Sequence, residues 1–339
     1  MEKITEIQTV GNASEEKKDQ VKAEIKNLLL NYFQSLPPED TEQLKKHEIQ
    51  KSEGQITLIS FINNKVNRLV REFGLEPYDI PTENYHIIPS KLYRKVARDS
   101  SNATAFYTKQ GVIFEAESFQ DNLLHFGAVA LHETLHLKAF YSMEVNEEDT
   151  EIHKTPYREG VTIRSLQREG YHGDYHEHFR GLHEAIVSRV ERDSISNLLE
   201  LPELSKEKEW LASEEADQLK KKLATEKEMP ENNIIWVGEK GKNDWERVGY
   251  PKHIEVLEYV CSEIQKQFSD EYRDTEDVFK EFLKAHFTGQ LLGIARLVEQ
   301  TFGIGSFRQL GNMSEEEESA VLHLDSLKKA RIRIKKRPI

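Results

Sequence analysis

Residues 122–140 read Asn-Leu-Leu-His-Phe-Gly-Ala-Val-Ala-Leu-His-Glu-Thr-Leu-His-Leu-Lys-Ala-Phe. Leu124, Ala128, Leu131 and Leu135 recur at three- and four-residue steps, the spacing of a buried helical stripe. Asp121 and Asn122 offer a cap at its start. His132 and His136, four residues apart, fall on one face of that helix, one turn apart. Two imidazoles so placed reach a single tetrahedral ion, with zinc the expected metal. Glu133 projects toward the same ion without being positioned to ligate it. It is placed to take a proton from a metal-bound water and pass it to a leaving group. With 13 His and 60 Asp+Glu in 339 residues, chance gives about 0.09 such matches, so the pattern carries information.

Working outward, residues 103–115 predict two strands joined around Lys109-Gln110-Gly111. Residues 55–73 predict a helix closed by Gly74, and residues 14–35 an amphipathic helix ahead of Pro37-Pro38. The charged stretch 39–53 reads as a linker, and Tyr85 to Ile88 as a short strand. Downstream, 181–200, 203–228, 251–268 and 276–301 predict helices, and 233–237 a strand. His286 reads as a core histidine. The end of the chain, a Glu run at 315–318 followed by KKARIRIKKRPI, reads as a solvated tail or a strand-like end.

The formal net charge of -13 leaves a nucleic-acid partner without bulk electrostatic support. The single cysteine, Cys261, excludes a disulfide framework and a cysteine-rich zinc knuckle, so any metal must be held by His, Asp or Glu. No apolar run approaches the ~18 residues of a membrane span, and the N-terminus has no apolar leader. The expectation is a cytoplasmic protein with neither a nucleic-acid nor a membrane partner.

Gly127 to Phe140 (GAVALHETLHLKAF) resembles the active-site helix of the zincin metallopeptidases. Val129, Ala130, Thr134, Leu135 and Leu137 fit the uncharged surroundings of that motif, whereas Lys138 departs from them. Metzincins would place glycine at 139 and histidine at 142. This chain has Ala139 and Ser142, which turns the comparison to the gluzincins. Their third ligand is a glutamate on a later helix, and Gly181-Leu182-His183-Glu184-Ala185-Ile186 is similar to that pattern, with His183 in place of asparagine. The resemblance therefore implies Glu184 as third ligand. It also implies an aspartate four residues later to steady the first histidine, but that position is Ser188. Residues 171–178, Tyr-His-Gly-Asp-Tyr-His-Glu-His, hold rival ligands: His172, Asp174 or His176 could replace Glu184 or form a second site. The plainer reading is a polar loop over the cleft. A Tyr or His in that stretch, Tyr157 or Tyr250 is a candidate oxyanion donor.

These readings combine into an α+β, zincin-like fold: a small mixed sheet with an edge strand over the active-site helix, then a mainly helical C-terminal part. The expected layout is an N-terminal helical segment (1–50), a catalytic core (51–200), a helical subdomain (201–312) and a charged tail (313–339). The expected activity is hydrolysis of a peptide bond in a peptide or protein substrate, with one zinc ion on His132, His136 and Glu184 and Glu133 as general base. The alternatives are a catalytically idle zincin-like domain that binds a protein partner, and a metal hydrolase of a non-peptide bond.

Overall fold

Ser52 and Gln55 exchange two hydrogen bonds, Gln55 N to Ser52 Oγ at 3.2 Å and Ser52 N to Gln55 Oε1 at 2.8 Å. This capping box starts a 20-residue helix two residues earlier than the apolar pattern suggested. The computed structural model describes residues 8–30, 46–96, 103–106, 111–119, 122–148, 151–166, 175–238 and 245–335. In chain order its main elements are β1 (Gln8–Val10), α1 (Glu15–Leu30), α2 (Glu53–Glu72), β2 (Tyr85–Ile88), α3 (Ser90–Val96), β3 (Ala103–Phe106), β4 (Gly111–Glu115), α4 (Ala116–Phe119) and α5 (Leu123–Leu137). There follow β5 (Tyr141–Glu148), β6 (Glu151–Glu159), β7 (Thr162–Leu166), β8 (Tyr175–His178), α6 (Arg180–Leu198), α7 (Ser205–Leu211), α8 (Glu214–Glu226), β9 (Ile234–Val237) and β10 (Trp245–Arg247). Five helices complete the described chain: α9 (Pro251–Gln267), α10 (Thr275–Thr288), α11 (Leu292–Phe302), α12 (Ser306–Gly311) and α13 (Glu317–Lys335). The architecture is mixed α and β, and no helix among the described residues is long and apolar enough to cross a membrane.

The chain forms two compact units, and each draws on separate stretches of sequence. The first takes in 19–138 and 190–248. Its centre is α5 packed against α2 and against a three-stranded sheet of order β2-β4-β3. β2 runs parallel to β4, and β3 pairs antiparallel with Phe106 opposite Gly111. Residues 109 and 110 of the expected hairpin turn lie outside the described residues, as does Pro37-Pro38. Leu58, Ile59, Ile62 and Val66 of α2, and Leu124, Phe126, Leu131 and Leu135 of α5, are fully buried. Together they form the continuous apolar contact that a helix pair needs.

The second unit takes in 7–18, 139–189 and 249–339. It contains a five-stranded sheet of order β1-β5-β6-β7-β8, whose last strand falls in the stretch 171–178 expected to be a polar loop. β1 lies parallel to β5, and the other pairs are antiparallel. The expected helix 276–301 is two helices, broken at Gly289 (φ +71°), where an added Cβ would fall 2.5 Å from the Phe140 ring. Residues 328–335 of the basic C-terminal stretch are neither a solvated tail nor a strand. They belong to α13, whose Arg331 is buried and donates to Glu263 Oε2 (2.8 Å), the Thr301 carbonyl (2.9 Å) and Gln267 Oε1 (3.0 Å).

Candidate metal centre

Asn122 Oδ1 accepts from His125 N at 2.9 Å and fixes the start of α5. From that start, the 15-residue helix carries an apolar body into the core and brings most of its polar residues together at the C-terminal end. There His132 Nε2 and His136 Nε2 are 3.2 Å apart, with ring centroids 4.9 Å apart. Two imidazole nitrogens on one tetrahedral zinc, each about 2.05 Å from it, stand about 3.3 Å apart. The separation on α5 matches that value. His136 is buried, and His132 and Glu133 are partly exposed, so this end of the helix opens to its surroundings on the side that carries the acid.

His132 is oriented from behind. Its Nδ1 lies 2.9 Å from Glu191 Oε2 on α6, a carboxylate with 4% of its side chain exposed. Nδ1–H donating to this anion leaves the Nε2 lone pair facing His136. The supporting acid was sought at position 188. Ser188 is fully buried, and the support comes instead from Glu191. Seven residues separate Glu191 from Glu184, almost two full turns, so the two carboxylates share a face of α6 roughly 10 Å apart along its axis. The signal was available in the sequence as an acid in helical phase with the expected ligand.

Further contacts hold α5. Thr134 Oγ1 donates to the Ala130 carbonyl at 2.6 Å and meets Tyr85 OH at 2.8 Å. Lys138, the residue that departs from the zincin pattern, is 3% exposed. Its Nζ donates to Asn63 Oδ1 (2.9 Å) and Asn67 Oδ1 (2.8 Å) on α2 and lies 5.5 Å from the Tyr78 ring centroid. The two amides present their oxygens because their nitrogens are used elsewhere, on the Ile80 carbonyl and on Asp79 Oδ1. Burial pushes the Lys138 ammonium down to about 7, against the opposing pull of Asp79. Tyr78 OH donates to the Leu137 carbonyl at 2.9 Å. Lysine at 138 thus ties the end of the helix to α2, a role its flanking motif does not announce.

Glu184 lies in the second unit, on the N-terminal half of α6, with 1% of its residue surface exposed. Arg180, one turn earlier, places Nη2 3.0 Å from Glu184 Oε1. His183 beside it is fully buried, and its Nδ1 shares a 2.9 Å hydrogen bond with Thr162 Oγ1. His286 is also fully buried, stacked edge-on to His183 with centroids 4.9 Å apart. The core reading of His286 fits this placement. A carboxylate oxygen of Glu159 lies within 4.8 Å of a His183 ring nitrogen, and Arg164 holds Glu159 at 3.1 Å.

Of the rival ligands, His172 and Asp174 lie outside the described residues. His176 is exposed on strand β8, opposite Ser165, with its ring 4.5 Å from that of His178. Among the described residues, no group of side chains able to hold an ion includes His176 or His178. Tyr157 sits half-buried in β6, and Tyr250 precedes α9 with a left-handed backbone (φ +48°). Compared with family models, curated proteins and solved structures, the chain matches none.

Proposed function

We propose that the chain is a zinc-dependent hydrolase of the zincin type that cleaves peptide bonds, with His132, His136 and Glu184 holding one zinc ion. The observation that carries this reading is the paired Nε2 atoms of His132 and His136, 3.2 Å apart and backed by Glu191. A surface histidine pair has no need of a buried carboxylate behind one ring, whereas a metal ligand gains basicity and a fixed tautomer from it. Glu184 joins the set because the gluzincin resemblance puts the third ligand there, and because α6 carries it on the face that presents Glu191.

Zinc bound there would polarise the scissile carbonyl and lower the pKa of a water molecule. Glu133 accepts the proton of the attacking water and returns it to the leaving amine. Glu191 keeps His132 in the tautomer whose Nε2 can ligate. Lys138 and Tyr85 anchor the C-terminal turn of α5, so that His136 keeps its place relative to His132. The three-stranded sheet beside α5, with β3 at its edge among the described residues, supports a zincin-like arrangement in which an extended substrate adds to a strand.

The test is metal content followed by turnover. Purified protein should carry close to one zinc per chain by elemental mass spectrometry, and a peptide library should be cleaved in a chelator-sensitive way. Protein that takes up no zinc at micromolar concentrations would end this reading. Full zinc with no cleavage across broad libraries would favour the idle scaffold or a non-peptide bond.

A further inference from the structure

The entry to α6 is held from outside the helix. Phe179, in the left-handed region at φ +65°, donates its N–H to the Gly311 carbonyl at 2.6 Å. Gly181 N donates to the Met313 carbonyl at 2.9 Å, and a Cβ on Gly181 would fall 2.4 Å from the Ser314 carbonyl oxygen. A non-glycine residue with positive φ is strained, and it persists where surrounding contacts over-determine it. Arg180 lies between these two anchored residues, so its backbone is fixed. Its side chain is fixed as well: Nε donates to Glu315 Oε2 at 3.2 Å, and Nη2 sits 3.0 Å from Glu184 Oε1. Glu184 is the strongest of the influences that hold this guanidinium above the ordinary arginine range.

An ionised carboxylate with 1% of its side chain exposed is costly unless a cation balances it. If Glu184 is a metal ligand, the metal supplies that balance, and an arginine at 3.0 Å is then a second cation on one anion. Guanidinium and dication repel each other at this range. The pair is therefore favourable without the metal and a handicap with it.

We propose that Arg180 is a stand-in cation for the metal: it balances Glu184 when no ion is bound and competes with the ion for that carboxylate when one is. This rests on the reading of Glu184 as a ligand. The consequence is a chain that stays folded while empty, with a metal affinity set below what its ligands alone would give.

The experiment compares full-length wild type with Arg180→Met and Arg180→Gln, with Arg180→Lys as the charge-keeping control. Thermal midpoints are read in excess zinc and in chelator, and zinc affinity by competition against a chromophoric chelator. Both neutral variants should melt below wild type when metal-free, and zinc saturation should narrow that gap. They should also bind zinc more tightly by roughly 5- to 150-fold, the usual span of a coupling between two bound groups. Arg180→Lys should return affinity toward wild type. If Arg180→Met does not fold without metal, Arg180→Gln carries the affinity measurement. Equal midpoint losses with and without zinc, or zinc affinity unchanged or weakened in the neutral variants, would overturn the inference. Wild type that binds no zinc, or Glu184→Gln that binds it as well as wild type, removes the metal-site reading, and the inference with it. Wild type with Glu184-dependent zinc but unaltered arginine variants removes this inference alone.

Discussion

α5 and α6 are both central and mostly buried, yet they are built on opposite plans. α5 buries leucines, alanines and a phenylalanine and keeps most of its polar chemistry in its last two turns. α6 buries His183, Glu184, Ser188, Arg189, Glu191 and Ser194 along much of its length. Several of these are matched to a particular partner: His183 to Thr162, Glu184 to Arg180, and Glu191 to His132. Arg189 pairs with Glu276 and lies 3.9 Å from the Phe279 ring centroid, while Ser194 donates to the Val190 carbonyl. An apolar stripe packs against any complementary apolar surface, because the hydrophobic effect is non-directional. A buried charge is tolerated only against its own partner. α5 therefore presents the histidine pair, and α6 supplies the carboxylate that orients it.

The largest effect should come from the presenting helix. His132→Ala and His136→Ala each remove one proposed ligand, and stoichiometric zinc should fall to background by elemental analysis. Zinc retained in full by both would break the distinction at its root. Next is Glu133→Gln, nearly isosteric and outside the ligand set. Turnover should drop by about 10²–10⁴-fold with zinc content and thermal midpoint near wild type. Equal turnover by the zinc-loaded variant would remove Glu133 from the mechanism.

The third prediction concerns a polar group that α5 buries near its start. Burial pushes His125 down to about 4, and Glu246 Oε1 at 3.4 Å, 39% exposed, offsets little of that. The folded-state value lies below the unfolded 6.5, so the unfolded chain binds the extra proton in between. The stability that His125 contributes is present above pH 6.5 and is lost as pH falls toward 4. At one pKa unit per 1.36 kcal/mol the loss is at most about 3 kcal/mol. Urea unfolding at pH 7 and near pH 4.5 should show this loss in wild type and a smaller one in His125→Gln. Matching slopes would mean that the acid response originates elsewhere.

The smallest effect tests the orienting helix. Glu191→Gln keeps the shape but loses the anion behind His132, and zinc affinity should weaken by about 10–100-fold, the usual cost of losing such a support. An unchanged affinity would make Glu191 a buried acid with no bearing on the metal.

The same contrast explains what the sequence made legible. α5 could be read because its cap, apolar stripe and His-Glu-x-x-His spacing are all local. The β3–β4 pairing and the closure of α2 near Gly74 follow from local turn chemistry in the same way. The five-stranded sheet could not be read so. β5 has an apolar face of only Tyr141, Met143 and Val145 before it turns wholly polar, and β6 is mostly polar and carries Pro156, which ordinarily argues against a strand. Pro156 is accommodated opposite Met143, where a bulge shifts the register between Ser142 and Met143. β1 pairs with a strand far along the chain, which no window on the sequence can show. Glu184 was reached through a resemblance. Glu191, Arg180 and Lys138 were not assigned their roles, because a buried charge is recognised by its partner, and its partner is distant in sequence.

The entry to α6 also has a consequence in time. The carbonyls that receive its first N–H groups belong to Gly311 and Met313, more than a hundred residues downstream. At ~5–20 residues per second of synthesis, those acceptors appear on the order of ten seconds after Phe179 does. Until then the hydrogen bonds that anchor Phe179 and Gly181 cannot form, and neither can the pairing of Arg180 with Glu315. A nascent chain, or one truncated before residue 311, can form α5 with its histidine pair, but the start of the helix that carries Glu184 gains its anchors only once residues 311–313 have emerged.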